Sequence, residues 1–137
     1  MKRVVLISCV SKKLPYKAEA EKIYISPLFK KQLAYARKLN PDGIYILSAK
    51  HGLLDLRDEI EPYNVTLNKM STAEIKSWSI NILDELNRRF DLKQTHITFL
   101  AGVNYRKFLI GEIKYFDIPF EGLTIGRLLR RLTEELS

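Results

Sequence analysis

The residues able to do chemistry fall in a few short polar segments. Ser48-Ala-Lys-His-Gly52 sets a lysine and a histidine, which can hold an anion or carry protons, beside a glycine that lets the backbone turn sharply or approach a ligand closely. Ser8 and Cys9 lead into Lys12 and Lys13, a short basic loop suited to a phosphate or a carboxylate. Cys9 is either a small buried hydrophobe or a nucleophile. Tyr24 and Ser26 stand just ahead of Pro27, where a helix N-terminus favours an anion; the alternative is a packing aromatic and an N-cap. Further on, Asp55, Glu61, Tyr63, Asn64 and Thr66 supply carboxylates, a ring for stacking and an amide, a mixture suited to a nucleobase edge or a ribose. Gly102 with Tyr105, and Gly122 with Arg127, mark two places where backbone can come close to a ligand. Within this set His51 and Glu61 are the candidates for proton transfer. Lys13 and Lys50 are those for anion neutralisation, and Tyr63 is the one for stacking.

The chain has no Walker loop, no Gly-x-Gly-x-x-Gly, no His-Glu-x-x-His and no Gly-x-Ser-x-Gly elbow. Two histidines and one cysteine argue against a catalytic zinc, so neither a metal nor a cofactor is expected. His96 lies inside a predicted strand and reads as a satisfied core or edge histidine.

These segments need a scaffold, and the apolar pattern supplies one. Arg3-Val-Val-Leu-Ile-Ser-Cys-Val10 is β-branched with almost no alternation, as in a strand covered on both faces. A helical stretch is expected from Lys17. A second helix is expected over 27–39, capped by Ser26 and begun by Pro27. Residues 43–49 form the second predicted strand, and 53–70, which lack a clear period, a long loop. Ser71-Thr-Ala-Glu74 is a capping box that opens a helix to about residue 90. A third strand covers 95–102, a helix 104–115, a short edge strand 116–120, and a last helix 125–136 carries Arg127, Arg130 and Arg131. Strands alternating with helices imply an α/β protein of one domain over residues 1–137. The expected form is a three-layer α/β/α arrangement on a mostly parallel sheet of three to four strands. Ligands of such sheets bind beyond the carboxyl ends of the strands, which puts Ser8, Ser48 and Ala101 on one working rim.

Composition bounds the partners. A formal charge of +7 favours encounter with polyanions, and a nucleic acid or a phosphorylated small molecule is the natural candidate; with the loop residues above, a nucleotide, nucleobase or nucleic acid is the expected partner. The alternative is an inert basic surface. Met1-Lys2-Arg3 and the apolar run after it imitate a signal peptide. Only Val4 to Ile7 precede Ser8 and Cys9, however, against the roughly 7 to 15 apolar residues of a secretory segment. The run is therefore expected to be a buried strand. No stretch reaches the roughly 20 apolar residues of a membrane span, and no membrane partner is expected. A single cysteine fits a reducing, cytoplasmic setting. No oligomeric state is read from the pattern.

The same segments carry a resemblance. Ile7-Ser-Cys-Val-Ser-Lys-Lys13, Tyr24-Ile-Ser-Pro-Leu-Phe29, Ile46-Leu-Ser-Ala-Lys-His-Gly-Leu-Leu54, Glu61-Pro-Tyr-Asn-Val-Thr-Leu67, Leu100-Ala-Gly102 with Tyr105, and Pro119-Phe-Glu-Gly-Leu-Thr-Ile-Gly126 stand in this order. Together they resemble an uncharacterised bacterial, archaeal and phage family of small α/β proteins, a domain of unknown function. More loosely, the chain is similar to the lysine-transferring domain of archaeosine synthase, a relative in fold of uracil-DNA glycosylases. Its signature runs Cys, three residues, Lys-Pro-Tyr, two residues, Ser, two residues, His. Cys9 and Lys13 match the first spacing, while Leu14-Pro15-Tyr16 follows the lysine and Phe29 stands in the place of the histidine. This similarity implies a base-handling α/β scaffold. The expected function is an enzyme acting on a nucleobase, nucleotide or modified nucleic-acid base, and the alternative is a non-catalytic module that binds a nucleotide or nucleic acid.

Overall fold

The computed structural model describes residues 1–8 and 12–137. Strand β1 (Lys2–Ser8) is the centre of the fold, and Val4 to Ile7 are fully buried. Its side chains alternate between two cores. Val4 and Leu6 join one cluster, whereas Val5 and Ile7 join the other. This double coverage explains the unalternating apolar run: neither face of the strand meets water.

β1 is flanked in parallel by β3 (Gly43–Ser48) and β6 (Thr95–Leu100). Beyond β6 lies β7 (Tyr115–Asp117), also parallel, and beyond β3 lies β4 (Gly52–Asp55), antiparallel. The sheet thus has five strands in the order β4-β3-β1-β6-β7, not three to four. The added strand comes from the stretch expected to be loop. Leu53 and Leu54 drop into opposite cores as strand neighbours must, but four residues are too few to show a period. Gly52 at φ 74° makes the reversal that sends β4 back along β3. Two further residues of the same stretch, β5 (Glu59–Ile60), pair with β2 (Ala18–Glu19) in a small antiparallel ribbon.

The helical turn or two expected from Lys17 is one turn, α1 (Ala20–Ile23), after that ribbon. Helix α2 (Pro27–Lys38) starts as expected, with Ser26 Oγ accepting from the Phe29 amide at 3.2 Å. In α3 (Thr72–Arg89) Ser71 and Glu74 form the reciprocal capping box, and those hydrogen bonds hold the Glu74 carboxyl below its usual pKa. α3 packs on the Val4 and Leu6 face through Ile75, Trp78, Ile82 and Leu86. On the opposite face α2 contributes Phe29, Leu33 and Ala36.

The single helix expected over 104–115 does not form. The segment is one turn, α4 (Val103–Arg106), and a separate 3₁₀ turn at Ile110–Glu112. Leu109 and Ile113 are buried as predicted, but β7 begins at Tyr115, so the chain must already be extending towards the sheet edge. The edge strand correspondingly lies ahead of the 116–120 expected. Helix α5 (Ile125–Leu136) has its predicted bounds, is capped by Thr124, and lies against α2. Among the described residues no helix is long and apolar enough to cross a membrane.

Candidate functional site

Register brings the strand ends together. Ser8 lies opposite Leu47 and Ile7 opposite Leu100, so Ser8, Ser48 and Ala101 share one edge of the sheet. The Gly102 amide donates to Ser8 Oγ at 3.0 Å and ties the end of β6 to the end of β1.

On the β3 side of this edge the predicted residues form a polar cluster. Ser48 is fully buried. Its Oγ accepts from the His51 amide at 3.0 Å and donates to the Tyr63 hydroxyl at 3.0 Å. The Tyr63 hydroxyl is 2.6 Å from that of Tyr24, a short contact, and Tyr24 is itself buried. Trp78 Nε1 donates to the Ser48 carbonyl at 2.9 Å and braces the strand end from the α3 side. Lys12 and Lys13 run beside residues 23–25: the Leu14 amide donates to the Ile23 carbonyl at 2.8 Å and the Ile25 amide to the Lys12 carbonyl at 3.1 Å. That pairing sets Lys13 Nζ 4.4 Å from the centre of the Tyr63 ring and 5.5 Å from that of Tyr24. The His51 ring meets Tyr63 edge-on at 5.3 Å. His51 is exposed overall, yet packing strips some water from its ring. That desolvation, and secondarily the Lys50 charge, hold its pKa below the usual histidine value. The shift favours the uncharged ring.

The β6 side is different. A cavity of about 560 Å³ runs along α3 and takes in Lys50 and His51, but the larger one, about 640 Å³, opens beyond β1 and β6 between α2 and α5. Ser8, Ser26, Gly102, Tyr105 and Gly122 line it, with Leu28, Phe99, Phe120 and Leu128 in its walls. Two lining residues were missed from sequence. Gln32 is 5% exposed, and its Oε1 has no hydrogen-bond partner. Arg106 is 8% exposed; its Nε donates to the Ala101 carbonyl at 3.0 Å and its Nη1 is 3.5 Å from Glu121. Gln32 had a legible signal, since it interrupts the apolar Phe29, Leu33 and Ala36 stripe of α2. Arg106 follows Gly102 and Tyr105 in sequence, but its burial depends on the turn at 103–106.

The predicted set is thus divided. Lys13, Tyr24, Ser48, His51 and Tyr63 meet, whereas Lys50 and His51 line the α3 groove. Among the described residues, neither Lys12 and Lys13 nor the 63–66 segment lines that groove. Cys9 lies outside the described residues. Lys12, Lys50, Glu61, Asn64 and Arg127 are exposed, and the Arg127 amide serves the Thr124 cap. Thr66 caps a 3₁₀ turn by accepting from the Asn68 amide, and the Tyr105 hydroxyl accepts from the Leu67 amide at 3.3 Å. Gly122 is an exposed turn glycine at φ 81°. His96 Nε2 lies 3.3 Å from Asp117, but its Nδ1 is buried without a partner, so the histidine is satisfied on one nitrogen only.

An open, mostly parallel sheet with an antiparallel edge and helices packed on it defines an α/β protein. Residues 4–134 match DUF6884, a family of unknown function, and the chain belongs to it. No curated protein and no solved structure matches the chain.

Proposed function

We propose that the protein is an enzyme acting on a nucleobase, nucleotide or modified nucleic-acid base, with Lys13, Tyr24, Ser48, His51 and Tyr63 as its working groups. The observation that carries this proposal is the hydrogen-bonded run from the His51 amide through Ser48 Oγ and the Tyr63 hydroxyl to Tyr24, with Lys13 against the Tyr63 ring. Such a run can pass a proton along its hydroxyls, and the ammonium favours negative charge developing beside them. A neutral His51 accepts a proton, with Glu61 and Cys9 as the further candidates from sequence. The net charge of +7 favours a nucleic-acid or nucleotide substrate.

The test is turnover. Nucleosides, nucleotides and oligonucleotides are incubated with the protein and the products followed by mass spectrometry, for wild type, Tyr63→Phe and His51→Ala. One substrate class is expected to be converted, with the rate falling about 100-fold or more in His51→Ala while the fold persists. Binding without conversion supports instead a non-catalytic nucleotide- or nucleic-acid-binding module, favoured by exposed Arg127 and Arg130 on α5. Oligonucleotide affinity should then fall steeply with salt. Neither conversion nor binding overturns both.

A further inference from the structure

Gln32 has no part in the polar cluster. It sits on the face of α2 that turns to the sheet, in the wall of the 640 Å³ cavity, and its Oε1 is buried without a partner. A buried carbonyl oxygen left unpaired opposes folding, and native proteins retain few of them, so such a group calls for a donor from elsewhere. The cavity around it falls within the roughly 300–1,000 Å³ of small-molecule sites.

The chemistry of the walls narrows the occupant. A hydrocarbon would leave Oε1 unpaired. A phosphate or carboxylate would bring an acceptor to an acceptor, and a cation would meet apolar walls with the Arg106 guanidinium nearby. What remains is a neutral donor, and apolar walls that include Phe99 and Phe120 favour an uncharged ring carrying an N–H over a hydroxyl-rich ligand. The primary amide presents an acceptor and two donors in one plane, which matches a nucleobase edge where an N–H adjoins a carbonyl or ring nitrogen. Phe99 and Phe120 in the walls suit the faces of such a ring.

We infer that this cavity is a base-recognition pocket. A nucleobase enters between α2 and α5, the Gln32 amide turns to bring Oε1 from its buried position to the cavity surface, the base N–H donates to Oε1, and its adjacent acceptor takes an N–H from Gln32 Nε2. The inference rests on the proposal that the protein handles bases, and adds the pocket and the residue that would read the base edge.

The test measures binding of uracil, guanine and adenine to the full chain by calorimetry. Each is paired with an analogue methylated at every N–H, such as 1,3-dimethyluracil or N6,N6,9-trimethyladenine. Wild type is expected to bind at least one base about tenfold more tightly than its analogue, the worth of one hydrogen bond. Gln32→Leu should bind both alike and unfold at the same or higher urea, because no internal hydrogen bond of Oε1 is lost. Gln32→Met serves as a second apolar variant of similar length. Discrimination that survives in the Gln32 variants, or a fall in their stability, overturns the inference and leaves the enzyme proposal standing. No binding of any free base, with nucleosides still converted, does the same. Absence of both binding and conversion removes the enzyme proposal as well.

Discussion

The two ends of one sheet edge solve the same problem in opposite ways. At β3 every buried hydroxyl of Ser48, Tyr24 and Tyr63 has a protein partner, and the cluster is braced by the Trp78 indole. At β6 the walls are apolar, and the Gln32 oxygen is left without a partner. Buried polar groups that satisfy one another stiffen a site, whereas one that is unsatisfied is completed only from outside. The difference predicts that substitution of Ser48 or Tyr63 costs stability and that substitution of Gln32 does not.

The largest effect is expected for Ser48→Val, which removes the acceptor of the His51 amide and the donor to Tyr63 together. It should cost about 2 kcal/mol by urea unfolding. Tyr63→Phe deletes the hydroxyl between Ser48 and Tyr24 and should cost about 1 to 2 kcal/mol by the same measurement. If both are neutral, the two ends do not differ as described. Gln32→Leu should run the other way, neutral or stabilising by up to about 1 kcal/mol, since an unpaired oxygen is replaced by carbon. His51→Ala should change stability by no more than about 0.5 kcal/mol, because the side chain is exposed and Ser48 is bonded by the backbone amide, which the variant keeps.

The smallest effect is on pH dependence. The native pKa of His51 lies below that of the unfolded chain, so the unfolded state binds the proton first as pH falls. Stability is unaffected above about pH 6.5, declines below it, and the loss is complete once pH has passed through the lowered native value. A His51→Gln variant should lack this decline in acid urea melts. A wild-type curve parallel to the variant's would mean that desolvation and the Lys50 charge do not act on the ring as described.

Where the pattern spans many residues, the fold was legible. The unalternating run of β1, the Ser71 and Glu74 capping box and the bounds of α5 all follow from local preferences repeated over several residues. Short elements were not. β4, β5 and α4 hold four, two and four residues, and each exists because a neighbour offers a hydrogen-bonding edge or a buried surface, which no local window contains. The polar cluster was partly legible, since Ser48, His51 and Lys13 follow or end strands and the carboxyl-end rule applies to them.

The amino-acid sequence by itself determined the α/β class, the long helices and their caps, and which strand ends carry polar residues, because each of these is written in contiguous periodicity or in a cap. Only the tertiary structure decided that Tyr24 and Tyr63 share a hydrogen bond across 39 residues of chain and that Lys13 sits over Tyr63. It alone left Gln32 unpaired in a cavity closed by a helix about 100 residues away. The physical reason is that a hydrogen bond needs its partner within about 3 Å. Which distant residue comes that near is set by how the two cores pack against β1, not by any local preference of the chain.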